Sequence, residues 1–66
     1  MLITLNGEPY ELAAPLTIGE LLKQLQIDSR RVAVELNLTV LKRARFDEAV
    51  VHEGDAVEIV NFVGGG

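Results

Sequence analysis

The sequence predicts an α+β fold in which one main helix packs on one face of a mixed β-sheet. Both halves of the chain contain segments with the two-residue alternation of strands, and one segment between them has the apolar repeat of a helix. A chain of 66 residues has room for one domain with a small core. A right-handed crossover through a single helix would place the first and last strands side by side at the centre of the sheet.

The first predicted element is a strand over residues 1–5, in which the odd-numbered residues are apolar and share one face. Asn6-Gly7 follows and is typical of a type I′ turn, which requires positive φ at both central residues. A returning strand is predicted over residues 8–12. Pro9 lacks a backbone donor and therefore restricts that strand to the edge of the sheet or to its own first residues.

The strongest local signal is a helix start. Thr17 and Glu20 have the spacing of a capping box, in which each side chain accepts a hydrogen bond from the other residue's backbone. Leu16 and Leu21 stand where a hydrophobic staple would place them. The apolar residues that follow recur every three or four positions, so a helix is predicted from Ile18 to near Gln26.

The second half of the chain predicts mainly strands and turns. In chain order these are a strand over 32–36, a turn at Asn37-Leu38, a short strand at 40–41, a short helical turn followed by an extended piece over 46–51, a turn over 52–55 and a last strand over 56–62.

The charge balance restricts the classes of partner. Ten acidic and six basic side chains give a net charge of −4, which disfavours nucleic acid as a partner. Five of the six basic residues fall between Arg30 and Arg45, and this cluster is either a solvated face or a docking patch for an acidic surface. No segment has the length and hydrophobicity of a membrane span or of a signal peptide. We therefore expect a cytoplasmic protein, and the absence of cysteine agrees with that location.

The sequence offers no set of side chains for catalysis. His52 is the only histidine, Ser29 is the only serine and cysteine is absent, so no nucleophile–base pair with an orienting group is available. Glu53 and Asp55 flank Gly54 in a stretch that turn chemistry explains better than a paired-carboxylate site. The prediction is a protein that is not an enzyme and binds neither metal nor cofactor.

Three glycines, Gly64, Gly65 and Gly66, form the most unusual feature. Glycine has no Cβ, so this tail is expected to be flexible and slim enough to thread, fully extended, into a narrow channel. The reactive group at its end would be the α-carboxylate of Gly66, which is ionised at neutral pH and must be activated before a nucleophile attacks it. The residues that activate it must belong to a partner.

The last strand predicts a docking surface beside this tail. Val57 and Ile59 alternate with Val60 and Phe62, and the second pair shares its side of the strand with a glutamate that should face water. Val60 and Phe62 are then exposed apolar residues next to a reactive end, which suggests contact with a partner. Leu38 either extends this patch or is simply a poor turn residue.

Several stretches together resemble the ThiS family of sulfur carriers, and the resemblance covers essentially the whole chain. They are Asn6-Gly7, Thr17–Leu22, Val32–Asn37, Lys42-Arg43, Glu53–Asp55 and, above all, Val57–Gly66. The resemblance implies a ubiquitin-like β-grasp domain over residues 1–63, followed by the glycine tail over residues 64–66.

The resemblance also implies a chemistry. In such proteins a separate enzyme related to ubiquitin activators uses ATP to adenylate the last glycine, here Gly66. Sulfur relayed from cysteine through a desulfurase then converts that glycine to a thiocarboxylate. The thiocarboxylate gives its sulfur to thiazole synthase, which builds the thiazole ring of thiamine. ATP is thus consumed by the partner and is not a cofactor of this chain.

Two positions depart from the family pattern. Leu38 stands where glycine or a polar turn residue is common, and Lys42 stands where proline is common; both affect the local hairpin and not the tail. Three alternatives stay open: the small subunit of molybdopterin synthase, a carrier for another sulfur metabolite, and a ubiquitin-like binding module that never reacts covalently.

Overall fold

A computed structural model describes residues 1–62. These residues form one main helix, a five-stranded main sheet and a separate two-stranded sheet. The elements in chain order are β1 (Leu2–Leu5), β2 (Glu8–Glu11), β3 (Leu16–Thr17), α1 (Ile18–Gln24), a 3₁₀ turn (Ser29–Arg31), β4 (Val32–Leu36), β5 (Thr39–Leu41), a second 3₁₀ turn (Arg43–Arg45), β6 (Val50–Val51) and β7 (Ala56–Asn61). The glycine tail predicted over residues 64–66 lies outside the described residues.

The main sheet has five strands in the order β2-β1-β7-β4-β5. The first and last strands are neighbours and run parallel, whereas the other pairs are antiparallel. Strand β2, which contains Pro9, lies at one edge, and β7 lies at the centre. The predicted mixed sheet and its central pair of strands are thereby confirmed.

The start of α1 has the predicted capping box. The Thr17 hydroxyl accepts a hydrogen bond from the Glu20 N–H at 3.1 Å, and the Glu20 carboxylate accepts one from the Thr17 N–H at 2.8 Å. The helix ends at Gln24, two residues earlier than predicted. Gln26 adopts a positive φ of 61°, and the Ile27 N–H turns back to the Leu22 carbonyl at 2.9 Å. This is a Schellman ending with glutamine at the position that glycine usually occupies.

The core lies between α1 and one face of the sheet. Buried apolar side chains come from the helix, from strands β1, β4, β6 and β7, and from the connections. They are Ile3, Leu12, Ile18, Leu21, Leu22, Val32, Val34, Phe46, Val51 and Val57. The odd-numbered face of β1 and the side of β7 containing Val57 both pack into this cluster, as the alternation predicts.

Residues 42–51 differ in part from the prediction. The helical turn lies at Arg43–Arg45, three residues before its expected start, and the extended piece is β6. Strand β6 pairs antiparallel with β3, immediately before α1, and these two strands form a separate small sheet. The Ala49 and Phe46 carbonyls accept hydrogen bonds from the first two helical N–H groups, those of Ile18 and Gly19, so this loop also holds the start of α1 in place.

Candidate functional site

The candidate site is the end of β7, from which the chain continues toward the glycines. Strand β7 pairs with β1 on one side and with β4 on the other, so it is held by two ladders. The pairing continues past its last residue, because the Phe62 N–H donates to the Arg31 carbonyl at 2.9 Å. The polypeptide therefore leaves the sheet from a position fixed by hydrogen bonds.

The side chains of β7 alternate between the core and the opposite side of the sheet, here called the outer face. Val57 is fully buried and Ile59 is half-buried against the core, as predicted. Val60 and Phe62 are 60% and 54% exposed. The structure thus brings these two predicted docking residues together at the end of β7, and their contact with a partner stays a prediction.

The outer face contains further apolar residues that the sequence reasoning did not single out as site residues. Val40 on β5 and Leu2 on β1 are 67% and 45% exposed. Val40 lies in the same cross-strand row as Glu35 and Glu58, whereas Val60 lies in the next row, opposite Ala33. Alternation within β5 could have indicated that Val40 is exposed. Only the strand order and register show that Val40 shares a face with Val60.

Leu38 lies at the other end of the sheet. Its turn adjoins Ala56, the first residue of β7, whereas Phe62 follows the last residue of that strand. Leu38 is 87% exposed and has a φ of 70°. The structure therefore does not bring Leu38 together with Val60 and Phe62, and its contact with a partner stays a prediction.

Two asparagines hold β7 in register. The Asn6 side-chain oxygen accepts a hydrogen bond from the Ile59 N–H at 2.7 Å. The Asn37 side-chain oxygen accepts one from the Ala56 N–H at 2.9 Å, and its amide nitrogen donates to the Asp55 carboxylate at 3.0 Å. Each asparagine belongs to a hairpin turn next to β7, so both neighbouring hairpins fix the strand that leads to the tail.

Two of the basic residues between Arg30 and Arg45 have acidic partners. The Arg30 guanidinium contacts both oxygens of Asp28, and hydrogen bonds from Arg30 lower the pKa of that carboxyl from 3.8 to about 2. The same contact raises the pKa of Arg30. Arg45 pairs with Glu48 at 3.0 Å.

The described residues contain no group of three or more histidine, cysteine or acidic side chains that could hold a metal ion. The backbone N–H of His52 donates to the Asp55 carboxylate, so the predicted turn over residues 52–55 is present. The residues predicted to react and to thread, Gly66, Gly65 and Gly64, lie outside the described part of the chain, and their roles stay predictions. No helix among residues 1–62 is long and apolar enough to cross a membrane.

Comparison with known proteins identifies the family of this chain and its fold. The model of the ThiS family matches residues 3–66. This chain belongs to the ThiS family. In the crystal structure of the thiamine biosynthesis protein ThiS from Geobacter metallireducens, the fold is the same, with a TM-score of 0.88, 43% identity and full coverage of both chains. The mixed sheet with its single main helix is accordingly a ubiquitin-like β-grasp, as the family resemblance implied.

Two curated relatives differ in the share of their own length that this chain covers. The chain is 40% identical over 50 residues to the sulfur carrier protein ThiS of Bacillus subtilis, which covers 76% of each protein. It is 42% identical over all 66 residues to a thiazole synthase of Paramagnetospirillum magneticum. There it spans only 20% of the relative's length.

Proposed function

We propose that this ThiS-family chain carries sulfur for thiamine biosynthesis, as a protein substrate of partner enzymes and not as a catalyst. The observation that supports this most directly is the reach of the family match, which extends to residue 66 and so includes all three glycines. The similarity to a curated sulfur carrier protein ThiS supports the same role. The match to a thiazole synthase supports that enzyme as the acceptor.

The proposed chemistry takes place at the α-carboxylate of Gly66. A carboxylate oxygen attacks the α-phosphorus of ATP on a ubiquitin-activator-like adenylating enzyme, which forms the acyl adenylate and releases pyrophosphate. A sulfur nucleophile at the oxidation level of sulfide then displaces AMP and leaves a thiocarboxylate. A cysteine desulfurase is the proposed source of the sulfur, and a thiol reductant supplies two electrons where the sulfur arrives as a persulfide. This chain supplies only the carboxylate, because one histidine, one serine and no cysteine are too few for the catalytic groups.

The fold would support this chemistry by combining a rigid sheet with a reactive carboxylate at the end of the tail. The central position of β7, its two ladders and the asparagine contacts fix the point from which the tail departs. Gly64 and Gly65 would then let Gly66 enter partner active sites that a larger side chain would block. Val60 and Phe62 would contact the partner at the mouth of such a site.

The decisive experiment is the intact mass of the untagged chain purified from thiamine-starved cells with an active sulfur pathway. We expect a species with one oxygen replaced by sulfur, with the change located at Gly66. A variant lacking Gly66 should not acquire it, whereas Val50→Ala, altered on the small sheet away from the tail, should. If only the carboxylate is found and the cognate adenylating enzyme forms no adenylate from ATP, the carrier proposal is wrong.

Supplying the thiocarboxylate to purified acceptors identifies the pathway. Formation of thiazole by thiazole synthase supports the thiamine role, whereas transfer to a pterin precursor would indicate a molybdopterin carrier. Transfer to neither acceptor would indicate another sulfur metabolite. A chain that binds its partners equally well with and without Gly66, and never carries sulfur, would instead be a non-covalent binding module.

The docking role of the outer face has its own test. Phe62→Ala should weaken binding to the adenylating enzyme by more than it lowers the free energy of unfolding, because Phe62 is half exposed and lies outside the core cluster. Val50→Ala, which alters a partly exposed apolar residue of the small sheet, is the control. Unchanged binding of the Phe62 variant, together with a large loss of stability, would place this side chain among the structural residues.

A further inference from the structure

Three cationic side chains lie around the point where the chain leaves the sheet, and the proposed chemistry does not use them. Arg31 is tied to this point because its carbonyl accepts the hydrogen bond from the Phe62 N–H. Arg43 reaches the same segment, where its guanidinium donates to the Arg30 carbonyl at 3.4 Å. Lys42 directly follows Leu41 of β5. We call Arg31, Lys42 and Arg43 the basic flank.

The register explains how Lys42 joins this group. Leu41 pairs with Val34, so the next residue along β5 comes beside Ala33. Ala33 in turn pairs with Val60 on β7. Lys42 therefore lies at the same end of the sheet as Val60, and the alternation from Val40 places it toward the outer face.

The basic flank differs from the other arginines in its ion pairs. Arg30 and Arg45 have carboxylate partners at 3.0 Å. Within residues 1–62, Lys42 and Arg43 have no carboxylate within 4.0 Å, and Arg31 only just reaches Asp28 at that distance. The Arg31 side chain is also 82% exposed. These three charges are thus largely uncompensated by the protein itself.

On the main sheet the acidic residues lie elsewhere, whereas near the flank Asp28 is paired with Arg30 and Asp47 lines the same cavity as Arg43. Glu8 and Glu11 are on the β2 edge, Glu35 and Glu58 face each other across the middle of the outer face, and Asp55 precedes β7 at the opposite end. A chain with a net charge of −4 therefore presents positive charge at the end where its tail departs. Such a charge separation orients a protein in the field of a partner before contact.

We propose that the basic flank docks on an acidic surface of the enzyme that adenylates Gly66 and guides the tail end toward it. The inference rests on the proposed function, because that enzyme is the first partner the tail must meet. Complementary charge acts mainly on the association rate and on orientation, so the flank should speed encounter and change adenylation little at saturation. The apolar contacts of Val60 and Phe62 would then form beside it.

The test measures association rates with the cognate adenylating enzyme as a function of salt. The variants are Arg31→Glu, Arg43→Glu and the triple variant that also contains Lys42→Glu. Arg45→Glu is the matched control for the two single variants, since it makes the same change in charge at an arginine already paired with Glu48. The salt series runs from about 0.01 M to about 1 M, over which the screening length falls from about 30 Å to about 3 Å.

We expect the triple variant to associate roughly tenfold more slowly than the wild type at low salt, with the difference disappearing at high salt. Arg45→Glu should associate nearly as fast as the wild type. Slowing by Arg45→Glu equal to that by Arg31→Glu and Arg43→Glu would show an effect of net charge alone and would overturn the proposal. A change confined to dissociation would overturn it too.

Two further measurements separate this inference from the carrier proposal. Pyrophosphate exchange at saturating concentration and high salt should be the same for the triple variant and the wild type. If the wild type itself shows no exchange, the carrier proposal fails, while salt-dependent association can still be measured. Amide shift mapping with poly-glutamate and with single-stranded RNA as probes identifies the class of partner, and RNA binding by the flank in preference to poly-glutamate would overturn the protein-docking proposal.

Discussion

The turns of the two hairpins that flank β7 are built alike and differ at one residue. Each hairpin has a two-residue turn that begins with asparagine, and all four turn residues have positive φ. In each, the asparagine side chain accepts a hydrogen bond from a backbone N–H at β7, Asn6 from Ile59 and Asn37 from Ala56. The second turn residue is Gly7 in the first hairpin and Leu38 in the other.

This difference shows which turn is optimised for folding. Gly7 adopts its φ of 83° without a Cβ penalty, whereas Leu38 has a φ of 70° in a region that costs an L-residue about 1–2 kcal/mol. Leu38 is 87% exposed, so little burial offsets that cost. The first hairpin thus follows the rules of turn chemistry, while the second presents a leucine to solvent at a cost in stability. Such a cost favours a role for Leu38 outside folding.

The largest expected effect comes from giving the first turn the residue of the second. Gly7→Leu should lower the free energy of unfolding by about 1–2 kcal/mol, because the backbone penalty appears with no new contact. No atom lies within 4 Å of where a Cβ would be, so steric overlap at that atom does not contribute. Urea denaturation measures the change. An unaltered midpoint would mean that this turn tolerates side chains at positive φ, and the contrast between the hairpins would disappear.

The asparagines should come next. Asn6→Gly and Asn37→Gly keep a residue that accepts positive φ but remove the hydrogen bonds to β7, so each should cost about 0.5–1.5 kcal/mol. The cost of Asn37→Gly should be at the upper end of this range, since the Asn37 side chain also donates to Asp55. Hydrogen exchange at the Ile59 and Ala56 amides reports on each site. If neither amide exchanges faster in its variant, the asparagines do not hold the strand.

The reverse exchange in the second hairpin should stabilise. Leu38→Gly relieves the backbone penalty but adds the conformational entropy of glycine to the unfolded chain, so a gain of about 0.5–1 kcal/mol is expected. Thermal unfolding measures the gain, and Leu38→Asn, which tolerates positive φ without an apolar side chain, is the control. Slower sulfur loading of both variants would indicate that Leu38 contacts a partner. Unchanged loading would remove Leu38 from the predicted docking residues.

The smallest expected effect is a loss of stability at acid pH, which should leave both turns unaffected. Since the Arg30 contact lowers the folded-state pKa of Asp28 to about 2, its contribution is complete above the ordinary value of 3.8 and is lost as the pH falls toward 2. Asp28 is open to solvent, so the change should be slight. Stability curves for the wild type and Asp28→Asn should converge over that range. Parallel curves would show that the pair does not contribute to folding.

Local signals predicted most of the fold. The Thr17–Glu20 capping box, the Asn6-Gly7 turn and the alternation in β7 each involve residues close in sequence, and all three are present. The pairing of β3 with β6 was not predicted, because two-residue strands separated by more than thirty positions have no periodicity to detect. The Schellman ending was also missed, since Gln26 replaces the glycine that marks it.

The candidate site was predictable only in part. Exposure of Val60 and Phe62 followed from alternation along a single strand. The distance of Leu38 from them depends on the direction in which β7 runs past the hairpin, which no local pattern encodes. The basic flank likewise depends on the contact between Phe62 and Arg31, which are 31 positions apart.

The parallel pairing of β1 with β7 has a mechanical consequence. The chain enters the sheet at the beginning of β1 and leaves it at the far end of β7, and the two strands are linked by hydrogen bonds such as that from the Asn6 N–H to the Val57 carbonyl. A pull between the two ends of the domain would load these bonds in shear, together and not one after another. A partner that draws on the tail would thus meet resistance from the whole ladder, and the domain would transmit the load as a rigid body.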